Sequence, residues 1–464
     1  MKTQIFPKIA IILILIFCSL NGYSGDLNIG SASVKITPPI GTPMAGYYYE
    51  RGALSVHDDL FSKALVIEKD GQKVAMVSCD LVEVTATLVN EVRAIAQKLT
   101  GINADHIMIG ATHSHTGPVI PSEAFPFAAK GKSAEILNAY IKNLPGLIAQ
   151  SIKLANDALQ PSVLSFGLGQ EESISFNRRF FLKDGTVGWN PGKLNPLIIK
   201  PAGPIDPDVQ VLFAETVKGK ALCAYVNFAI HLDITGGQDI SADMPYTLSK
   251  ILGEVKSKDM TTIFSQGCCG NLNHFDVKNG AAQGGHAEAE RIGAVLASEV
   301  LKTLTHMKSV AVTKISVKSE IVKLKLAEIS DEEVPWALGI IAKYGESDSD
   351  PFIDKVKAYQ VIEISNRKGK PIDAEVQVFA LGDSCAIVSL PGEVFVELGM
   401  YIKSRSPYPH TIVVELANGS VDYIPDMKAF MEGNYEPVSA RCAPGSGEIL
   451  AKRVLEMLNN LKNK

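Results

Sequence analysis

Apolar positions along the chain fall into short runs that stop abruptly at glycine, proline or a polar pair, and the spacing inside each run separates strands from helices. Residues 28–37 alternate like a strand and run into Pro38-Pro39. Residues 62–68 and 73–79 flank Lys69-Asp70-Gly71-Gln72, whose Asp-Gly pair predicts a hairpin. Residues 81–99 carry Leu81, Val84, Leu88, Val92, Ile95 and Leu99 at helical spacing, with Asp80 placed to cap the helix. Further on, 106–110 reads as a buried strand, 134–158 as a helix, 162–168 as a strand, and 209–216 with 221–230 as a second hairpin around Lys218-Gly219. From 170 to 204 periodicity gives way to Gly, Pro, Asn and Arg, which predicts a long loop region of the kind that carries function.

The second half continues the alternation. A helix is expected at 245–255 with Asp243 as its cap, a strand at 262–265, and a helix at 287–304. Strands at 314–324 and 374–381 bracket a helical insert around 332–344, followed by a strand at 383–390, a helix at 394–403, a strand at 410–415 and a last helix at 447–461. No repeat or long linker interrupts the pattern. It predicts an α/β fold over 25–464, one large domain of packed β-sheets flanked by helices in an αββα-like sandwich. Trp189 and Trp336 read as packing residues.

At 46% hydrophobic and 20% charged residues, without a block of like charge, the composition is globular and gives no sign of a nucleic-acid partner. Lys2 and Lys8, the apolar run 9–18 and the small residues near Ser24 predict a signal peptide over 1–24 and hence a secreted or periplasmic protein. Its removal takes away two lysines and no acid, changing the formal charge from −5 to −7. Phe17 before Cys18 is too bulky for lipoprotein processing, so anchoring at Cys18 ranks second. Of the six other cysteines, an even number that permits disulfides, Cys79, Cys223 and Cys385 read as buried small side chains, Cys268-Cys269 are poorly spaced for a zinc pair, and none is assigned to the metal.

Three apolar runs end in a metal-competent residue: 109–113 at His113, 221–231 at His231 and 385–393 at Glu393. Period two places His113 and His115 on one face of the first run. Each residue alone has a plainer reading, His231 as a satisfied core histidine and Glu393 as a charge in the first turn of a helix. Together, two imidazoles and a carboxylate at strand ends form a hydrolytic zinc pattern.

The stretches 112–118 (Thr-His-Ser-His-Thr-Gly-Pro), 227–231 (Asn-Phe-Ala-Ile-His), 270–273 (Gly-Asn-Leu-Asn) and 390–393 (Leu-Pro-Gly-Glu) resemble, in this order and at similar spacing, the neutral (alkaline, non-lysosomal) ceramidases. Ile36-Thr37-Pro38-Pro39 and Met44-Ala45-Gly46-Tyr47 are similar too. The resemblance implies Zn2+ held by His113, His231, Glu393 and Tyr423, with His115 as the neighbouring catalytic group and Arg178 and Tyr435 facing substrate. It further implies a zinc-activated water that cleaves the amide of a ceramide-like N-acyl lipid, and with such a lipid peripheral contact with a membrane. The family's motif has a serine where this chain has Asn273, so a serine nucleophile is absent and Asn273 is expected to position substrate or donate to an oxyanion. The family's ceramidases also carry a further C-terminal sandwich domain, whereas this chain stops shortly after Tyr423, so the resemblance implies zinc more directly than ceramide. Other readings stay open: the same site acting on another N-acyl, ester or acylated-sugar substrate, a metallophosphatase around Asn271-Leu272-Asn273-His274, or a secreted binding protein on this scaffold.

Overall fold

The computed structural model describes residues 27–47, 51–121, 131–343 and 350–463; the expected signal peptide lies outside them. The hairpin of Phe61–Lys69 and Gln72–Cys79 forms as its turn predicts, with Asp70 and Gly71 both at positive φ (50° and 79°) and Lys69 paired to Gln72. The large sheet runs in the order 261–266, 221–228, 208–216, 160–170, 28–35, 61–69, 72–79, 107–111, with 308–309 added beside 160–170. A second sheet of four strands runs 315–324, 372–381, 385–389, 410–414.

Within these two sheets, parallel neighbours occur where a helix connects two strands. Gln72–Cys79 passes through the helix Ala86–Thr100 to Ile107–Ala111. Ala221–Phe228 passes through Met244–Val255 to Thr261–Gln266, and Cys385–Ser389 through Val396–Arg405 to His410–Val414. The carboxyl ends of such strands are where an open α/β sheet gathers ligands.

The sandwich is visible in the core. Leu65, Met76, Leu164, Leu212 and Tyr225 of the large sheet share one apolar cluster with Phe379, Leu381, Ile387 and Ile412 of the small sheet. The outer faces are covered by helices: Ala86–Thr100 and Gly131–Asp157 on one part of the large sheet, Met244–Val255 and His286–Thr303 on another, Val396–Arg405 and Ser446–Lys462 on the small sheet. Asn418 fastens the two sheets: its backbone N–H and its Oδ1 both pair with Ile109, while Nδ2 donates to Gln377 and Ser389.

Three expectations need correction. The first helix starts at Ala86 and not Leu81, and its cap is Thr85, whose hydroxyl accepts from Leu88 N–H. Asp80 is instead buried and accepts from Phe61 N–H at 2.8 Å. The residues between serve the site: the Leu81 carbonyl accepts from the N–H groups of His113 and Ser114. The region 170–204 is also more than loop, holding a three-stranded arm of Arg179–Leu182, Val187–Trp189 and Ile198–Pro201. The insert contains a second helix, Phe352–Asn366, besides Glu333–Ile341. It buries Val356, Ala358, Gln360, Val361, Ile362 and Ile364, a set that spreads round the helix and leaves no one-sided stripe to read.

Candidate metal centre

His113 follows the end of Ile107–Ala111, His231 follows Ala221–Phe228, and Glu393 follows Cys385–Ser389. Each thus leaves the carboxyl end of a strand in one of the three parallel units. The strand itself stops at Ala111, and His113 has φ 72°, so period two does not bring the histidines together. The turn does: His113 Nε2 lies 3.0 Å from His231 Nε2 and 3.3 Å from His115 Nε2, and the third side of the triangle is 3.1 Å. His113 and His231 are buried, whereas His115 is partly exposed on the accessible side. Gly46, at φ 95°, lets the chain pass against His115; a Cβ there would meet the ring at 2.6 Å.

His113 Nδ1 lies 2.7 Å from the Val82 carbonyl, which can only accept, so this nitrogen carries the proton and Nε2 presents its lone pair. That lone pair faces Glu393 Oε2 at 3.4 Å, and Oε2 is buried without a hydrogen-bond donor. A nitrogen lone pair and a carboxylate oxygen that face each other without a proton between them call for a cation. Imidazole nitrogens with a carboxylate suit a borderline transition ion better than calcium or magnesium, and the 3.0 Å separation of the His113 and His231 Nε2 atoms fits two donors each about 2.1 Å from one ion, with His115 beside them.

The electrostatics agree with neutral imidazoles on two corners. Burial, reinforced by His113, pulls His115 down to about 4, and burial with the same neighbour pulls His231 far below the usual range. At His113 burial acts downward and is the largest single effect, but the Glu393 carboxylate, the Val82 carbonyl and the Glu415 charge together outweigh it and the shift is upward. Burial pushes Tyr423 well above the usual phenol range, with Arg178 partly opposing it.

Tyr423 joins this corner through the short parallel pairing of Glu393-Val394 with Tyr423-Ile424, and Arg178 Nη2 donates to its hydroxyl at 3.0 Å. Arg178 is itself buried and fully engaged: Nε donates to Glu436 Oε1 at 2.9 Å, Nη2 also to the Gly270 carbonyl at 2.7 Å, and Nη1 approaches His231 Nδ1 at 3.4 Å. The structure therefore places Arg178 behind the donor cluster, against Tyr423 and His231. Tyr435 packs on Tyr423 with ring centroids 5.3 Å apart and on Trp189 at 4.4 Å. Asn273 is buried and occupied, Nδ2 donating to Asn190 at 2.7 Å and Oδ1 accepting from Phe275 N–H. Asn271 caps the turn into Val396, and His274 is held between Asp233 and the Gln283 carbonyl, apart from the three-histidine group. All six cysteines of the described residues are buried and free, as the apolar runs around Cys79, Cys223 and Cys385 predict for those three.

Sequence reasoning missed Arg179 and Glu415. Arg179 is buried and shares Glu436 with Arg178. Glu415 is buried at the end of His410–Val414, and burial pushes its carboxyl up to about 8. A polar residue closing an apolar strand, the sign that singles out His231 and Glu393, was present at Glu415 as well.

Residues 27–184 match the family described as neutral/alkaline non-lysosomal ceramidase, N-terminal. Over that segment the chain is similar to the neutral ceramidases. It is 26% identical over 243 residues to the neutral ceramidase of Pseudomonas aeruginosa, an alignment that takes in 50% of this chain and 34% of that protein. The alignment thus spans about a third of the curated relative's length. The fold agrees over a wider range: the crystal structure of the Pseudomonas aeruginosa neutral ceramidase superposes with a TM-score of 0.75 at 20% identity, over 94% of this chain and 75% of that one. A structure described as ceramidase complexed with C2 gives 0.71 at 18% identity over the same shares.

Proposed function

We propose that this chain is a zinc-dependent amidohydrolase that cleaves the N-acyl amide of ceramide-like lipids, and that it works outside the cytoplasm. The observation that carries the reading is the triangle of histidine nitrogens beside an unsatisfied Glu393, in a chain whose residues 27–184 match the ceramidase family. His113, His231, Glu393 and Tyr423 would hold the ion. Zinc in such a site polarises a carbonyl and brings the pKa of a bound water towards neutrality.

The chain's own residues do the rest. His115, neutral and on the accessible side, accepts a proton from the attacking water and returns it to the departing amine. Arg178 keeps the Tyr423 hydroxyl in place, while Glu436 neutralises Arg178 from behind. Tyr435 and Trp189 offer an aromatic wall next to Tyr423 against which an apolar part of the substrate can lie. Asn273, tied to Asn190, shapes the floor instead of reacting.

Elemental analysis of protein purified without added metal, followed by mass spectrometry of products from mixed N-acyl lipids and acylated glycans, tests the reading. Zinc near one equivalent and release of fatty acid from the lipids are expected. Cleavage of the glycans alone would transfer the site to another acylated substrate, and activity without any transition metal would end the proposal.

A further inference from the structure

His231 and Glu393 arrive on separate loops and their side chains approach only to 3.9 Å, Nδ1 to Oε2, so the separation of the loops depends on what ties their backbones. A chain of fully buried polar side chains ties them. Gln266 Nε2 donates to the carbonyl of Ile230, the residue before His231, and approaches Cys269 Sγ at 2.8 Å. Cys269 Sγ donates to Glu415 Oε1 at 3.0 Å, and Glu415 Oε2 accepts at 2.6 Å from the N–H of Val394, the residue after Glu393. Gln266, Cys269 and Glu415 each have 0% of their surface exposed.

The backbone repeats the same span. Glu415 N–H donates to the Gln266 carbonyl, and Gly270 N–H to the Val394 carbonyl. Gly270 allows no side chain there, since a Cβ would stand 2.5 Å from the Glu393 carbonyl. Three polar side chains without exposed surface are expensive to bury unless each finds partners. An apolar core would join these strands more simply, so a purely cohesive role does not account for their chemistry.

We propose that Gln266, Cys269 and Glu415 form a positioning bridge that sets the separation of His231 and Glu393, and so tunes how tightly the site holds its metal. None of the three touches substrate or ion; they act through the loops they tie. The inference rests on the zinc reading above and deepens it.

The test compares Glu415→Ala, Glu415→Gln and Cys269→Ala in the full chain by chelator competition for zinc, with thermal unfolding of the metal-free proteins measured alongside. Glutamine keeps an acceptor for Val394 N–H, and Cys269→Ala removes the middle link with little loss of volume, so a folded variant is available even if Glu415→Ala unfolds. Zinc should bind about 10- to 100-fold more weakly to Cys269→Ala and Glu415→Ala, and Glu415→Gln should recover most of the loss. Equal affinities in all variants would overturn the bridge and leave the zinc reading standing. If the natural chain binds no transition metal, the zinc reading falls, and the imidazole nitrogen resonances of His231 in metal-free protein decide the bridge. Displacement in Cys269→Ala but not in Glu415→Gln supports it; unmoved resonances in every variant refute it.

Discussion

His113 and His231 are 118 positions apart in the chain and meet with their Nε2 atoms 3.0 Å apart. Each is carried by a different parallel unit of the large sheet, so the contact exists only when both units are folded. His113→Ala and His231→Ala should each lose metal and activity together. His115→Ala should retain most of the metal and lose turnover, roughly 100- to 10,000-fold, the range for a general acid-base group. Metal content beside kcat for the three variants checks the division. If His115→Ala comes out metal-free and His113→Ala does not, the roles of the pair are reversed.

Glu436 neutralises two arginines at once, Arg178 at 2.9 Å and Arg179 at 2.7 Å, with its own carboxylate fully buried. Removing the charge leaves two guanidinium groups with less compensation inside the protein, and breaking a buried pair from one side destabilises by about 3–5 kcal/mol. Glu436→Gln is therefore expected to lower stability by an amount near the bottom of that range, since the amide can still accept one hydrogen bond. It should also reduce activity by loosening Arg178 against Tyr423. Denaturant midpoints with kcat at a temperature where the variant stays folded separate the two effects; unchanged kcat would show that Arg178 does not need Glu436 to hold Tyr423.

Most of the strands and several helices could be read directly, because their apolar runs are bounded by turn residues whose backbone demands are specific. Asp70-Gly71 and Gly219 are such places, all at positive φ. Asp243 likewise caps Met244–Val255 as expected. The strands of the arm, three or four residues long, are too short to display a period. The site divides the same way. His113, His231 and Glu393 announced themselves because each closes a hydrophobic run. Arg179 and Gln266 gave no such sign: their importance comes from Glu436 and Cys269, and the first of these pairings spans 257 positions.

Asp80 offers a pH test away from the donor cluster. Burial, only partly offset by Lys63 and by the Phe61 N–H bond, pushes its carboxyl from 3.8 to about 6. The folded protein therefore holds this proton more tightly than the unfolded chain does. The resulting stabilisation is complete below pH 3.8 and is lost as pH rises through about 6. Asp80→Asn keeps an acceptor for Phe61 N–H and removes the titration. Relative to the natural chain, the variant should gain stability between pH 4 and 6 and then run parallel to it. Urea midpoints of both proteins across that window give the answer, and parallel curves throughout would show that Asp80 keeps an ordinary pKa.

Asn273 stands where the resemblance would put a serine, and its surroundings decide what a serine could do there. Its Oδ1 accepts from Phe275 N–H and its Nδ2 donates to Asn190, whose backbone is in the left-handed region at φ 42°. Asn190 in turn gives its N–H to the Arg178 carbonyl, so the carboxamide helps to lay the arm beside Arg178. Serine is shorter and would reach at most one of these partners. Asn273→Ser should cost about 1–3 kcal/mol, the penalty for leaving a buried polar partner unsatisfied, and should create no new nucleophile. On the water mechanism the natural chain already hydrolyses its substrate, and the variant changes rate or selectivity by no more than the 10- to 1,000-fold range of an orienting group. Hydrolysis in labelled water, with a search for a covalent acyl adduct on both proteins, settles the matter. An adduct on the natural chain would exclude direct attack by water, and a large gain in rate for Asn273→Ser would restore the serine to a chemical role.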